Sequence, residues 1–129
     1  MTQFNARELD VLNILWKKSD EALTATDIVN EQKGLTQSTV IAVLRKLLNE
    51  ELVEVAGVTH SGKVLSRTFR ATEKSKMAII NNFKSDYSNF KNIISKADIC
   101  AAILGIDQDP DQMRPELFNL KVILDRYDC

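Results

Sequence analysis

The sequence predicts a mainly α-helical chain with one small β-hairpin, arranged as a head over residues 1–72 and a helical arm over residues 73–129. Three observations carry that expectation. Between Asn5 and Asn49 three successive segments open on helix-capping residues and place apolar side chains at three- and four-residue spacing. From Leu52 to Phe69 two β-prone runs flank residues with turn chemistry. Beyond Thr72 the apolar residues return to helical spacing.

The first helix starts at Asn5, whose side chain can cap while Glu8 reaches back from the third position; Leu9, Leu12, Leu15 and Trp16 then line one face until Ser19-Asp20. Thr24 with Asp27 opens a short second helix carrying Ile28 and Val29, and Gly34 stands where a left-handed residue is wanted after its end. Thr36 caps the third helix, predicted from Gln37 to Asn49, with Leu35 placed to meet Val40 on its first turn.

At 100° per residue Val40, Val43, Leu44, Leu47 and Leu48 form one stripe of that helix, and Ser38, Ala42, Arg45 and Asn49 lie opposite. The first two outer turns hold Gln37, Ser38, Thr39, Ile41 and Ala42. An ordinary solvated helix carries paired Glu and Lys there. Short side chains with amide, hydroxyl and guanidinium groups suit close approach to the major groove, where those groups reach base edges.

Next, Leu52-Val53-Glu54-Val55 alternates as a strand, Val64 to Phe69 supplies a second β-prone run, and His60-Ser61-Gly62-Lys63 is the expected turn. A fourth helix is expected from Thr72 to about Lys96, with Ile80, Phe83, Tyr87, Phe90 and Ile94 at spacings of three, four, three and four. Such a stripe needs an apolar partner along its length. Ile99 to Leu104 is a further helical stretch ended by Gly105, and Asp107 to Pro115 is linker-like. Leu117, Leu120, Leu124 and Tyr127 then repeat at three, four and three, with Pro115 expected in a first helical turn.

Charge is balanced, with 17 Lys and Arg against 18 Asp and Glu and a formal net charge of −1. Nucleic-acid binding must therefore rest on distribution. Between Gly57 and Thr72 stand Lys63, Arg67 and Arg70 with no acidic residue, a local basic patch on the expected hairpin. The two cysteines, Cys100 and Cys129, are far apart and at no metal-ligand spacing; Cys100 is expected as a small buried apolar side chain and Cys129 as exposed. No secretory signal or membrane span is expected, which predicts a cytoplasmic protein that does not engage a membrane. His60, the single histidine, has no nearby Cys or carboxylate constellation. No enzyme, metal or cofactor is therefore expected.

Three helices followed by a hairpin is the winged-helix order, in which the hairpin flanks the third helix and its basic side chains commonly contact phosphate or the minor groove. The full expectation is a winged helix-turn-helix head with a small β-hairpin wing and a C-terminal helical dimerisation arm. Candidate DNA-binding residues are Thr36, Gln37, Ser38, Thr39, Ile41, Ala42, Arg45 and Lys46 on the third helix and His60, Lys63 and Arg67 on the wing. Candidate dimerisation residues are Ile80, Phe83, Tyr87, Phe90 and Ile94, then Leu117, Leu120, Leu124 and Tyr127. The competing reading is a winged-helix module that binds protein, favoured by the neutral net charge and by Glu50-Glu51.

Over nearly its whole length, through "LDVLNILW", "LTQSTVIAVLRKLLNEELVEV" and "LFNLKVILD", the sequence resembles the penicillinase and methicillin-resistance repressors, the BlaI/MecI/CopY family. The resemblance implies a homodimeric transcriptional repressor on a palindromic double-stranded operator. It also implies a recognition helix over Thr36 to Lys46, a wing over Leu52 to Arg70 and dimerising helices after Thr72, with an upstream sensor or protease as a further partner. Three departures stand out. Family members often carry a basic pair and a glycine where this chain has Asn49-Glu50-Glu51. Those relieved by proteolysis are cut at an Asn-Phe bond whose best match here is Ala102-Ile103, while Asn82-Phe83 and Asn89-Phe90 fall on the expected fourth helix. The copper-responsive members carry clustered C-terminal cysteines, which Cys129 alone does not reproduce.

Overall fold

The structure, a computed structural model, describes residues 4–61, 64–106 and 110–127. Its elements run α1 (Ala6–Lys17), α2 (Ala25–Glu31), α3 (Gln37–Asn49), β1 (Val53–Ser61), β2 (Val64–Ala71), α4 (Glu73–Ser88), α5 (Lys96–Leu104) and α6 (Pro110–Arg126). By internal contacts the chain divides into two units, Met1–Ser85 and Asp86–Cys129.

Local side-chain chemistry fixes the starts of the first three helices. The Asn5 side chain accepts the Glu8 amide at 2.8 Å while the Asn5 amide donates to Glu8 Oε1 at 2.9 Å. Thr24 and Asp27 make the same reciprocal pair at 3.1 and 3.0 Å. Thr36 Oγ1 accepts the Thr39 amide at 3.3 Å, and α3 covers Gln37 to Asn49 as its spacing predicts. Gly34 has φ 91°, the left-handed conformation that costs glycine little. Glu51 has φ 62° in the turn from α3 into β1, a conformation that disfavours residues bearing a Cβ. It is tied down twice. Its carbonyl accepts the Thr72 hydroxyl at 2.8 Å, and its carboxylate lies 3.1 Å from Lys74 Nζ.

Strands β1 and β2 form one antiparallel hairpin. Val53, Val55, Val58 and His60 face the same side as their partners Ala71, Phe69, Arg67 and Leu65, because paired residues share a face and a bulge between Val55 and Gly57 absorbs one residue. The base of that side, Val53 and Phe69, is buried. His60 lies opposite Leu65 within the strands, so the expected turn at His60-Ser61 is corrected. The pairing of Ser61 with Val64 confines the connection to Gly62 and Lys63, which lie outside the described residues. Leu23 bridges Phe69 on its other edge through two backbone hydrogen bonds of 3.0 and 2.7 Å. That bridge ties the loop before α2 to the hairpin.

One core fills the first unit. Val11, Leu12 and Leu15 from α1, Ile28 from α2 and Val40, Leu44 and Leu47 from α3 meet Leu52, Val53 and Phe69. Each fully buried aliphatic side chain contributes roughly 1.5–3 kcal/mol relative to exposure. The first turns of α4 join this unit. Ser75 is buried, its hydroxyl accepts the Trp16 indole N–H at 2.9 Å and donates to the Thr72 carbonyl at 2.6 Å, and Ile79 packs against the core.

The second unit departs from expectation at its helix boundaries. Helix α4 stops at Ser88, well short of Lys96. Asn89, Phe90 and Ile93 make three-residue turn hydrogen bonds, and the Tyr87 hydroxyl donates to the Ile94 carbonyl at 2.8 Å. Ser95 then caps α5 with Asp98 in a reciprocal pair at 3.1 Å. The physical reason is local: Ser88, Asn89 and Asn92 are of the residue types that favour turns over helix interiors, and a new capping box restarts the helix at Ser95. Phe90 and Ile94 therefore leave the helical stripe, and Asn89-Phe90 lies after α4 instead of on it. Helix α6 begins at Pro110, so Pro110 takes the first-turn role expected of Pro115, which lies inside the helix and has no N–H for the residue four back. Cys100 is exposed on α5, a helix without a buried residue, which corrects the expectation of burial.

Candidate nucleic-acid interface

The outer face of α3 is organised from its first residue. Thr36 Oγ1, besides accepting the Thr39 amide, donates to Thr39 Oγ1 at 2.8 Å, so two hydroxyls are held at the helix entry. Gln37 Nε2 donates to Thr26 Oγ1 at 3.4 Å, which orients the first residue of α3 from the first turn of α2. Ser38, Ala42, Arg45 and Asn49 are exposed, and Val40, Val43, Leu44 and Leu47 are buried. Ile41 is 44% exposed on this otherwise small and polar surface.

A cleft of about 310 Å³ lies between this face and the hairpin, lined among others by Thr26, Gln37, Ile41, Arg45, Ser66 and Arg67. The buried Phe69 also lines it. Neither Arg45 nor Arg67 is in an ion pair among the described residues, so two guanidinium groups flank one groove without a carboxylate partner. A guanidinium in that state presents its fork of donors to an incoming anion or base edge. Sequence reasoning missed Thr26 and Ser66. Both line the cleft only once α2, α3 and β2 are assembled, a juxtaposition that the linear sequence does not reveal.

The other candidates are placed apart. His60 is exposed, on the same side of the hairpin as Arg67 but beyond the cleft lining. Lys63 lies outside the described residues. Arg70 is paired across the hairpin with Glu54 on the opposite side from Arg67. Lys46 projects elsewhere from Arg45: its Nζ lies 2.7 Å from Glu8 Oε2, and this close contact with the Glu8 carboxylate, with the charge of Glu50 adding to it, raises its pKa above the ordinary lysine value.

The candidate dimerisation residues are distributed over several elements. Ile80 and Phe83 lie exposed on α4, Phe83 at 67%. Tyr87 sits in the last turn of α4, Phe90 is exposed in the turns after it, and Ile94 is half-buried before the Ser95 cap. Leu117, Leu120 and Leu124 lie on α6, with Leu120 half-buried and the other two exposed, and Tyr127 follows its end, also exposed.

No protein-family model matches the chain, and no curated protein matches it. Solved structures do. A single-residue variant of Staphylococcus aureus MepR bound to an oligodeoxyribonucleotide superposes with a TM-score of 0.50 and 17% identity, covering 97% of this chain and 80% of that one. A second variant superposes at 0.51 with 17% identity over 97% and 81%. A third, from a multidrug-resistant clinical isolate, superposes at 0.51 with 18% identity over 96% and 79%. At these identities the likeness is one of fold. The chain has the winged-helix architecture, mostly helical with a small β wing.

Proposed function

We propose that the chain is a sequence-specific DNA-binding transcriptional repressor that acts as a homodimer on a palindromic operator. The observation that carries this reading is the cleft between α3 and the hairpin, where Arg45 and Arg67 stand without carboxylate partners among the described residues, beside a small, polar helix face. Helix α3 enters the major groove, with Gln37, Ser38, Ile41, Ala42 and Arg45 toward base edges and Thr36 and Thr39 toward the backbone. Arg67, with His60 and Lys63, contacts phosphate from the wing. The fold neighbour MepR supports the reading through the structure of its variant bound to an oligodeoxyribonucleotide. The resemblance to the penicillinase and methicillin-resistance repressors favours repression, by exclusion of polymerase from the operator.

The arm beyond Thr72 joins two copies in this reading. Among its described residues after Ser85 no side chain is buried, so the apolar groups of α5 and α6 need a partner surface. The same resemblance makes a sensor protease a compatible upstream partner.

Selection of bound duplexes from a random pool tests the whole reading. A palindromic enriched sequence is expected, and no enrichment at low salt would transfer the module to protein binding, the reading that Glu50 and Glu51 favour. On the selected duplex Arg45→Ala is expected to cost about 1–3 kcal/mol and to relax preference at one position if Arg45 reads a base. Equal weakening on all sequences would assign it to phosphate instead.

A further inference from the structure

We propose that Glu8 is a positioning residue for DNA contact: it secures the C-terminal half of α3 and withholds the Lys46 charge from phosphate, leaving Arg45 as the cation that α3 offers the duplex. The inference rests on the DNA-binding reading above.

Glu8 sits on the first turn of α1 and is 1% exposed. A carboxylate is seldom so buried without a cation. Its two oxygens have different tasks. Oε1 accepts the Asn5 amide and closes the α1 capping box, while Oε2, buried and accepting no well-aligned hydrogen bond, is held by the Lys46 ammonium as an ion pair at 2.7 Å. Lys46 comes from α3, 38 residues away, so this contact joins the N-terminus of one helix to the last turns of the other.

The pair is asymmetric. The Glu8 side chain is 2% exposed and that of Lys46 is 49% exposed. Lys46 could reach solvent, but turning to a phosphate would strand a buried carboxylate, a loss larger than a surface contact returns. Lys46 therefore stays, and together the two groups present no net charge to DNA. Arg45, 100° away around α3, faces the cleft with its charge uncancelled. The arrangement converts two adjacent cations into one directed contact.

The test is a salt titration of wild type, Glu8→Gln, Lys46→Gln and Glu8→Gln/Lys46→Gln on the selected duplex and on a scrambled one, with thermal unfolding recorded for each. Glu8→Gln keeps an acceptor for Asn5 and frees Lys46. Its log-log salt slope is expected to steepen by about 0.9, an extra loss of about 3.5-fold between 50 and 200 mM salt, with the scrambled duplex gaining relative to the selected one. Lys46→Gln and the double variant are expected to keep the wild-type slope. Lower affinity of Glu8→Gln on both duplexes at unchanged slope would reduce Glu8 to a structural role and overturn the proposal. If either single variant fails to fold, the double variant, with a neutral pair of similar shape, decides: a slope shallower by about 0.9 means that Lys46 contacts phosphate in the native protein and overturns the proposal. Wild type that binds no duplex even at low salt overturns the DNA-binding reading itself, an outcome separate from any change among the variants.

Discussion

Among the described residues, Met1–Ser85 buries fourteen apolar side chains in one cluster and Asp86–Cys129 buries none, although α5 and α6 carry Ile103, Leu117, Phe118, Val122, Ile123 and Leu124. Both units open helices with the same device, a reciprocal pair of capping bonds at Asn5 and Glu8, at Thr24 and Asp27, and again at Ser95 and Asp98. What differs is the source of stability after the helix has started. In the head, packing supplies it. In the second unit, helices of 9 and 17 residues display their apolar groups, so their stability is tied to a surface that they meet. The proposed second copy is that surface.

The comparison breaks most sharply at Phe83. Phe83→Asp places a carboxylate where α4 exposes an aromatic ring, and in the proposed dimer that charge has no partner. We expect the dimer to dissociate and full-operator affinity to fall by about 10²–10⁴-fold, while half-site binding by one head survives. Sedimentation together with titration of full and half operators checks this, with circular dichroism verifying the fold. A dimer persisting at low micromolar concentration with unchanged affinity would remove α4 from the interface. Leu124→Asp in α6 would then be the variant expected to separate the subunits.

Leu12→Ala probes the other side of the comparison. Leu12 is fully buried at the centre of the head, and its truncation is expected to cost about 2–5 kcal/mol at every protein concentration. Phe118→Ala on α6 removes a side chain that is largely exposed in the single chain, so at high dilution its cost is expected to stay within about 0.5 kcal/mol. At concentrations that favour association the cost should grow. Urea unfolding at two protein concentrations separates the cases, and an equal, large loss for Phe118→Ala at high dilution would show that α6 has a core of its own.

The legible part of the molecule was local. Asn5, Thr24 and Thr36 announce their helices through bonds to residues three positions on, and the buried stripe of α3 follows from spacing alone. The end of α4 is hidden in the sequence because the three- and four-residue spacing of Tyr87, Phe90 and Ile94 continues through the turns that follow Ser88. Periodicity carries no information about where backbone hydrogen bonding stops, whereas Ser95 with Asp98 was a readable restart. At the candidate site, the exposure of Ser38, Ala42 and Arg45 was legible in the helical pattern. The diversion of Lys46 was not, because it depends on α1 packing across α3, and neither was the approach of Thr26 and Ser66 to one cleft.

The finest test of the comparison is the cap of α5, where a helix with no buried residue depends on local chemistry. Asp98 accepts the Ser95 amide and lies beside the Ser95 hydroxyl, and hydrogen bonds from the Ser95 side chain and then its backbone hold its pKa below the ordinary aspartate value of 3.8. The ionised carboxylate is thus favoured in the folded helix. A depressed folded pKa stabilises above the unfolded value, and the benefit is lost as pH falls through the folded one. Acidification below about pH 4 should therefore fray α5, with the first turn of α1 not depending on that carboxylate. Ser95→Ala removes the acceptor for the Asp98 amide and is expected to cost about 1 kcal/mol of local helix stability at neutral pH. Global unfolding would not see this loss if the head alone sets the cooperative transition, so the measurement is hydrogen exchange of the α5 amides. Faster exchange confined to Lys96–Leu104 in Ser95→Ala is the expected result. Unchanged protection there, in the variant and on acidification, would mean that partner contacts hold α5, and the cap would not limit its stability.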